Sequence, residues 1–357
     1  MARLRLVPRP PGSTASDPVT GTGTALRWGV VSTGKIAGVV TAQLATLEDA
    51  RLHAVSSRDR TKAAAFAERF GFARSYGDDG DERGYEAMAH DPDVDVVYVA
   101  TPHGQHHRVT KALLEAGKHV LVEKAFTINA REARELATLA RDRGAFLMEA
   151  VWTRFLPSFH RVLDVVESGA IGDVVYAQAD LGFIAARDPR ERLWRPRDGG
   201  GALLDLAVYP LSWVLATLGP VSDVTATGRL NDEGVDEISA LALRHTGGGF
   251  SQVTVSFVSQ SVNRAAIVGT EGVITTDAPV SRPQGFTVTA AGQDTHESVP
   301  HVDDPYTYQL REVTRCVQQG LLESPTMPLA DTIATMELFD EVRRQTGVTY
   351  PNDYEEE

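Results

Sequence analysis

The sequence predicts an α/β protein in which a doubly wound parallel sheet precedes a second α/β domain. In the first half, short apolar strands alternate with helical stretches of about 10–15 residues, which is typical of βαβ units. In the second half, several strand-like runs are joined by Gly-rich turns without helices between them, which favours an antiparallel or mixed sheet. The length of 357 residues fits two domains.

The elements of the first half follow in chain order. The predicted strands are Trp28–Val31, Leu52–Ser56, Asp95–Ala100, Val120–Val122 and Phe146–Met148. The predicted helices are a stretch that ends near Thr46, then Thr61–Phe70, His106–Ala116 and Ala130–Arg143, the last two stopped by Gly117 and Gly144. Together they predict one doubly wound domain over residues 26–150.

The second half is predicted to form a domain over residues 151–345. The predicted helices are Pro157–Ser168, Gly201–Leu218, Tyr306–Gln319 and Leu329–Gln345. The predicted strands are Val174–Leu181, Val224–Leu230, Glu237–His245, Phe250–Phe257, Ala265–Val268 and Phe286–Thr289. Residues 1–25, rich in Pro, Gly, Ser and Thr, are expected to be a disordered tail, and 346–357 a second tail.

Composition narrows the class of protein. Lys and Arg total 35 against 48 Asp and Glu, a formal net charge of −13, which disfavours binding to nucleic acid and to anionic membranes. There is no apolar run of the ~18 residues that a membrane span needs and no secretory signal at the start, so a cytoplasmic protein is expected. The single Cys316 excludes an internal disulfide, and we expect it to be buried in a helix. His103, His106 and His107 lack metal-ligand spacing to carboxylates, so no metal is expected.

The segment Gly29–Ala37 has the pattern of a dinucleotide-binding turn. Such a turn needs a strand, a close backbone approach and a helix N-terminus aimed at the pyrophosphate. Gly34 suits the close approach and Ala37 the helix–strand packing, whereas Ser32 stands where the first glycine usually lies. The position after the first strand of a βαβ series predicts a Rossmann domain that binds the cofactor through residues Ser32, Thr33, Gly34, Lys35 and Ile36.

The end of the second strand points to the choice of cofactor. NAD-preferring enzymes often place Asp or Glu there for the ribose 2′-hydroxyl, whereas an arginine accommodates a 2′-phosphate. Here Ser57 and Arg58 occupy these positions, and Asp59 comes late. NADP is therefore predicted in preference to NAD, the alternative being a solvated loop arginine.

Two further segments lie at carboxyl ends of predicted parallel strands, where α/β sheets bind ligands. One contains Thr101 and His106, and the other contains Glu123 and Lys124. A lysine there can hydrogen-bond the nicotinamide ribose and a substrate hydroxyl, and it lowers the pKa of a neighbouring acid–base group. The alternative is a solvated Glu-Lys surface pair.

The helix that follows three glycines carries Asp205 and Tyr209, four residues apart and hence on one face. A carboxylate is costly to bury on an otherwise apolar helix unless it has a partner, which favours a polar cleft. Tyrosine can exchange a proton with a carbonyl or an alcohol. Pro210 is expected to kink this helix beside Tyr209. The alternative places Asp205 in a cap or salt bridge and Tyr209 in the core.

As a set, these features resemble the Gfo/Idh/MocA (glucose–fructose oxidoreductase / inositol dehydrogenase) family. Several segments resemble its dimeric dihydrodiol dehydrogenase-like branch: Leu26–Gly34, Ala100–His106, Met148–Pro157 and Leu193–Arg195. The resemblance extends over about residues 26–345. It implies a C-terminal α/β domain with a large open, mainly antiparallel sheet, whose face often forms a dimer interface.

The resemblance also implies roles for individual residues. Lys124 matches the family's substrate- and nicotinamide-binding lysine, and Asp205 and Tyr209 match the helix pair whose second member is the acid–base. Trp152, Arg154 and Phe155 match a segment that lines the active-site cleft in the family. Trp194 and Arg195 match a segment near the cofactor. Ala125 replaces the proline that follows the lysine in the family, so the residues here do not by themselves predict the cis peptide bond that the resemblance implies.

The leading hypothesis is hydride transfer between NADP(H) and a CH–OH or C=O group of a small sugar, cyclic polyol or trans-dihydrodiol. Tyr209 would be the acid–base, Lys124 would orient the substrate, and Asp205 would hold the ring or the tyrosine. One alternative is another family reaction, such as sugar–sugar oxidoreduction, imine reduction or redox-assisted elimination. Another is a non-catalytic NADP-binding regulator. A homodimer or higher oligomer through the C-terminal sheet is expected.

Overall fold

A computed structural model describes residues 7–10, 17–188, 191–302 and 305–354 of the chain. The chain forms two compact units. The first, here the Rossmann unit, comprises Ser16–Trp152 and Tyr306–Ile333. The second, here the sheet unit, comprises Met1–Ala15, Thr153–Pro305 and Ala334–Glu357.

The Rossmann unit has a parallel sheet of six strands in its described residues. The strands are β1 (Leu26–Val31), β2 (Ala50–Ser57), β3 (Arg74–Gly77), β4 (Val96–Val99), β5 (His119–Glu123) and β6 (Leu147–Ala150). Their order is β3-β2-β1-β4-β5-β6. This is the doubly wound order, in which the strand order reverses between β1 and β4 while all strands stay parallel, and it confirms the predicted fold class.

Helices join these strands. They are α1 (Lys35–Leu44), α2 (Arg60–Phe70), α3 (Gly84–Ala89), α4 (His106–Glu115) and α5 (Ala130–Arg143). The sequence prediction missed β3 and α3, because Arg74-Ser-Tyr-Gly77 forms a partly exposed edge strand without an apolar run. Helix α9 (Thr307–Gln318) also belongs to this unit, although the sequence assigns it to the second domain, and it packs against α1.

The sheet unit has eight strands in its described residues, ordered β14-β13-β12-β11-β7-β10-β9-β8. They are β7 (Val174–Gly182), β8 (Val221–Leu230), β9 (Asp236–His245), β10 (Phe250–Ser256), β11 (Ala265–Gly269), β12 (Gly272–Thr276), β13 (Gly285–Ala290) and β14 (Gln293–Ser298). Only β7 and β10 pair in parallel, so the sheet is mainly antiparallel, as predicted. Strands β12 and β14 were not predicted, and the polar, exposed sequence of β14 explains its omission.

The helices of this half are α6 (Pro157–Glu167), α7 (Ala202–Leu206), α8 (Val208–Leu218) and α10 (Leu329–Thr346). The prediction of one helix over Gly201–Leu218 was wrong, because the chain bends by 44° between α7 and α8. Pro210 has no N–H for the carbonyl of Leu206, where α7 ends. Within the described chain no single helix is long and apolar enough to cross a membrane. Only the bent pair Pro196–Leu206 and Val208–Leu218 reaches the required length and apolar composition, and only when its two parts are taken together.

The predicted terminal tails differ from the structure where they are described. Residues 1–6, 11–16 and 355–357 lie outside the described residues. The segment 17–24 is bound by Arg311, whose guanidinium donates to the carbonyl oxygens of Pro18 and Val19. Near the other end, Tyr350 is buried and donates its hydroxyl to the carbonyl of Gly200 at 2.6 Å.

Asp49 holds the 17–24 segment to α9, and this yields a stability prediction. Burial alone would raise the pKa of Asp49, but bonds from the Thr22 N–H, Gln318 and Arg311 hold it below its ordinary value. A lowered pKa stabilises the fold above the ordinary Asp pKa of about 3.9, and this is lost as pH falls through the folded pKa. We expect Asp49→Asn to lower the free energy of unfolding by about 1–3 kcal/mol at neutral pH.

Thermal unfolding from pH 7 to acid measures this effect, with Asp223→Asn as the control. Asp223 is exposed on β8, and its side chain has no hydrogen bond or ion pair within the described residues. The deficit of Asp49→Asn should shrink as the pH falls, whereas the control should follow the wild type throughout. An equal deficit at every pH would show that the Asp49 charge contributes nothing.

Candidate active site

The turn between β1 and α1 has the geometry of a phosphate-binding turn despite its missing glycine. Ser32 has φ +106°, a left-handed conformation that glycine adopts readily and other residues rarely do. Its hydroxyl accepts the N–H of Gly34 at 3.1 Å, which offsets part of the conformational cost. Gly34 is the N-cap of α1 and has no side chain over the helix N-terminus. Thr33, Lys35 and Ile36 complete the turn.

The end of β2 lies beside this turn. Thr33 Oγ1 is 3.5 Å from Ser57 Oγ, so the first two predicted cofactor segments are together. Asp59 is the N-cap of α2, and its carboxylate accepts the N–H groups of Thr61 and Lys62 at 2.9 and 3.1 Å. Arg58 is exposed, and its side chain has no hydrogen bond or ion pair within the described part of the chain. Asp59 therefore caps the helix through one carboxylate oxygen, Oδ1, and the Arg58 guanidinium is left available.

The turn after β4 is attached to the segment after β5 by His106. Its ring is fully buried, with Nε2 at 2.8 Å from the carbonyl of Thr101 and Nδ1 at 2.8 Å from that of Ala125. Both ring nitrogens of His106 lie within hydrogen-bonding distance of main-chain oxygens, so this side chain links the two turns, and its predicted contact with the cofactor stays a prediction. Thr101 contributes its carbonyl to the same connection.

Lys124 follows β5 directly. Its carbonyl lies 3.0 Å from His103 Nε2. The Lys124–Ala125 peptide bond is cis, although alanine stands in place of the family's proline. Before it, the buried Glu123 accepts the hydroxyl of Tyr98 at 2.5 Å and lies 3.3 Å from the N–H of Lys124. Main-chain groups on both sides of this bond are thus held by buried polar side chains.

The predicted cleft-lining residues form a short 3₁₀ turn, Trp152–Phe155, after β6. Trp152 is buried and stacks on Tyr306, with ring centroids 4.6 Å apart. Arg154 and Phe155 are buried as well. The aromatic side chains of Trp152 and Phe155 therefore pack in the interior.

The Arg-rich loop before α7 contains the predicted cofactor-proximal pair. Trp194 is 4% exposed, donates its indole N–H to the carbonyl of Ala186 at 2.7 Å and packs edge-on against Phe257. Arg195 forms an ion pair with Asp198 at 2.6 Å. Trp194 therefore anchors this loop, and its predicted place beside the cofactor stays a prediction.

Asp205 and Tyr209 lie on either side of the bend between α7 and α8. The prediction that the two residues share one face of a single straight helix was therefore wrong. Asp205 is 9% exposed at its side chain and pairs with Arg192 at 3.0 Å. Tyr209 is partly buried near the start of α8. Sequence analysis missed Arg192, although an arginine ahead of a buried carboxylate was a usable signal.

Outside these segments, His53, Asp91 and Asp93 have ligand atoms within 4.8 Å of one another. Asp91 also accepts the hydroxyl of Tyr76 at 2.8 Å, and Asp93 pairs with Arg27 at 2.6 Å. The carboxylates of Asp91 and Asp93 therefore already have neighbouring protein donors as partners. Cys316 lies buried in α9 as predicted, and burial raises the pKa of its thiol.

The Rossmann unit fits a pyridine dinucleotide. The N-terminus of α1 has unpaired N–H groups and a partial positive charge for a pyrophosphate. A Cβ built on Gly34 would have Ser32 Oγ, at 3.4 Å, as its nearest neighbour, so the approach to this turn is open. Arg58 and Ser57 would hold the adenosine ribose side, and Lys124 the nicotinamide side.

Comparison with known proteins matches both halves of the chain to family models. Residues 26–151 match the model of the "Oxidoreductase family, NAD-binding Rossmann fold", and residues 159–275 match the "GFO/IDH/MocA C-terminal domain". The trans-1,2-dihydrobenzene-1,2-diol dehydrogenase of Mus musculus is 36% identical over 342 residues, covering 92% of this chain and 99% of the relative.

Two solved structures have the same fold. KijD10, a 3-ketoreductase from Actinomadura kijaniata in complex with NADP and TDP-benzene, superposes with a TM-score of 0.81 at 26% identity, covering 92% of this chain and 99% of that one. An aldose-aldose oxidoreductase from Caulobacter crescentus gives a TM-score of 0.81 at 24% identity, covering 90% and 98%.

Proposed function

Since the chain belongs to the Gfo/Idh/MocA family of oxidoreductases, we propose that it transfers a hydride between NADP(H) and a CH–OH or C=O carbon of a small sugar, cyclic polyol or trans-dihydrodiol. The observation that carries the cofactor part of this proposal is that Arg58 has no side-chain partner within the described residues, while its neighbour Asp59 caps α2. The substrate class is supported by the dihydrodiol dehydrogenase relatives.

The choice of NADP follows from which charges are free at the end of β2. A carboxylate that accepted the ribose 2′-hydroxyls would favour NAD, but the Asp59 carboxylate already accepts two N–H groups of α2. A guanidinium without a carboxylate partner suits the dianionic 2′-phosphate, to which it can donate two parallel hydrogen bonds. Ser57 adds a neutral hydroxyl beside it.

When bound, NADP(H) would supply the hydride acceptor or donor, and the chain's own residues would hold the proton and the substrate. Tyr209 holds the proton that the substrate hydroxyl gains or loses. The Lys124 ammonium donates a hydrogen bond to that hydroxyl and orients it. Asp205 holds the substrate ring, and its ion pair with Arg192 fixes the direction of the carboxylate.

The ion pairs that Arg192 and Arg195 form with carboxylates favour an uncharged substrate at Asp205. Arg192 pairs with Asp205 and Arg195 with Asp198, so each guanidinium is already compensated by a carboxylate. An anionic substrate would have to displace one of these partners. A neutral diol or sugar needs only hydrogen bonds, which agrees with the proposed substrate class.

A test of this function is whether NADP(H) leaves after each turnover. We expect protein freed of nucleotide to consume added NADPH in many turnovers with a carbonyl substrate, and added NADPH to bind more tightly than NADH. Stoichiometric NADP(H) that stays with the protein through gel filtration, with turnover only between two sugars, would instead identify a sugar–sugar oxidoreductase.

We further propose that two copies associate through the open face of the C-terminal sheet. Helix α8 packs on β7, β10 and β11, and on the opposite face the side chains of Gln178 and Gln252 are exposed. Phe250, the first residue of β10, is 48% exposed. Exposed aromatic groups in a polar surround are common at the centres of protein interfaces.

We expect the wild type to sediment as a dimer, and Phe250→Asp to weaken the dimer by at least about tenfold in dissociation constant, because the change places a charge in an apolar contact. Sedimentation velocity over a concentration series measures this. Phe183→Asp, at another exposed phenylalanine, is the control. A monomeric wild type, or equal weakening by both variants, would contradict the assignment.

A further inference from the structure

Helix α7, which carries Asp205, begins without a capping side chain of its own. Its N-cap is Gly201, with φ +111°, and the first N–H groups of any helix need partners from outside it. The partner here comes from β9, more than thirty residues later in the chain. Asp236 Oδ2 accepts the N–H of Leu203 at 2.8 Å.

The Asp236 carboxyl lies in the interior. It is 0% exposed, and Ser239 Oγ donates to the same Oδ2 at 2.7 Å. The other oxygen, Oδ1, has no hydrogen-bond partner within the described residues. Burial raises the pKa of this carboxyl, which favours its neutral form. Its placement is therefore costly, and the fold keeps it at the start of the short helix that carries Asp205.

The glycine turn fits around this carboxyl. A Cβ built on Gly201 would lie 2.2 Å from Asp236 Oδ1, so no other residue fits without moving the carboxyl. The Gly201 N–H donates to the carbonyl of Leu193 at 2.9 Å, and the Gly200 carbonyl accepts the hydroxyl of Tyr350. Three distant parts of the sheet unit thus converge on one turn.

We propose that Asp236 is a positioning residue for the reaction: by capping α7 in place of a local side chain, it sets the placement of Asp205. This inference rests on the proposed function of Asp205. Asp236 itself touches neither substrate nor cofactor in this account. Misplacement of a substrate-holding group by about 1 Å can cost about 100-fold in rate.

The test compares Asp236→Leu, which removes the cap, with Asp236→Asn, whose amide oxygen can still accept the Leu203 N–H. We expect Asp236→Leu to lower kcat by about 10- to 100-fold with the KM for NADP changed by less than about twofold. Asp236→Asn should stay within about threefold of the wild type. Ser239→Ala should lie between them, and Ser251→Ala, at another buried strand serine with one side-chain partner, serves as its control.

Hydrogen exchange of the 199–207 segment supplies a readout that does not need activity. We expect its exchange to be at least about tenfold faster in Asp236→Leu than in Asp236→Asn. If Asp236→Leu does not fold, the exchange rate of the same segment in Ser239→Ala is compared with that in Ser251→Ala, and faster exchange in Ser239→Ala supports the positioning role. Faster exchange in a protein without any dehydrogenase activity would overturn the proposed function alone. Equal exchange and equal kcat in all variants would overturn the positioning role.

Discussion

Replacing Tyr209 with phenylalanine is expected to lower kcat by at least about 100-fold while NADPH binding persists. A general acid–base contributes about 10²- to 10⁴-fold, and the change removes only the hydroxyl that holds the proton. The ring remains, so the partly buried position near the start of α8 should keep its packing. Steady-state kinetics for turnover and fluorescence titration for NADPH measure the two effects separately.

The matched control is Tyr85→Phe, which removes a hydroxyl from α3 of the Rossmann unit. Its kcat should remain within about twofold of the wild type. Full activity of Tyr209→Phe would end the assignment of this residue as the acid–base. Loss of NADPH binding together with activity would indicate a structural rather than a chemical role for the hydroxyl.

Replacing Arg58 with alanine is expected to raise the KM for NADP by about 10- to 100-fold and to leave that for NAD within about twofold. Hydrogen bonds to a charged group contribute about 1.5–3 kcal/mol, which corresponds to this range. The guanidinium is free to make these bonds because it has no partner within the described residues, whereas Asp59 is committed to α2.

Arg60→Ala is the control for this change. Arg60 lies two residues later and pairs with Asp79 at 2.8 Å, so its loss should leave the cofactor ratio unchanged. Kinetics with both cofactors at saturating substrate give the ratio directly. A parallel rise in KM for NADP and NAD in Arg58→Ala would mean that Arg58 does not read the 2′-phosphate.

The periodic parts of the fold could be predicted from sequence, because each central strand is a short apolar run flanked by clear turns. The strands β3 and β14 could not, since edge strands bury little and have polar sequences. The bend between α7 and α8 was predicted one turn too late. Proline acts on the carbonyl four residues before it, so Pro210 ends the helix at Leu206.

The candidate site divides in the same way. Local sequence was sufficient for the turn at Ser32 and for Arg58, whose neighbours in the chain are also neighbours in space. Local sequence was insufficient for the Arg192–Asp205 pair and for the cap that Asp236 provides. These contacts join residues 13 and 33 positions apart, and no periodic pattern in the sequence connects them. The link from His106 to the carbonyl of Ala125 was missed because Ala125 follows another strand, β5.

The most direct measurement is NADP reduction by the purified protein over a panel of trans-dihydrodiols, inositols and simple sugars. The account predicts sustained reduction with at least one uncharged cyclic diol or polyol, faster with NADP than with NAD. Absence of reduction with every member of the panel, while NADPH still binds, would contradict it and identify the chain as a nucleotide-binding protein without this activity.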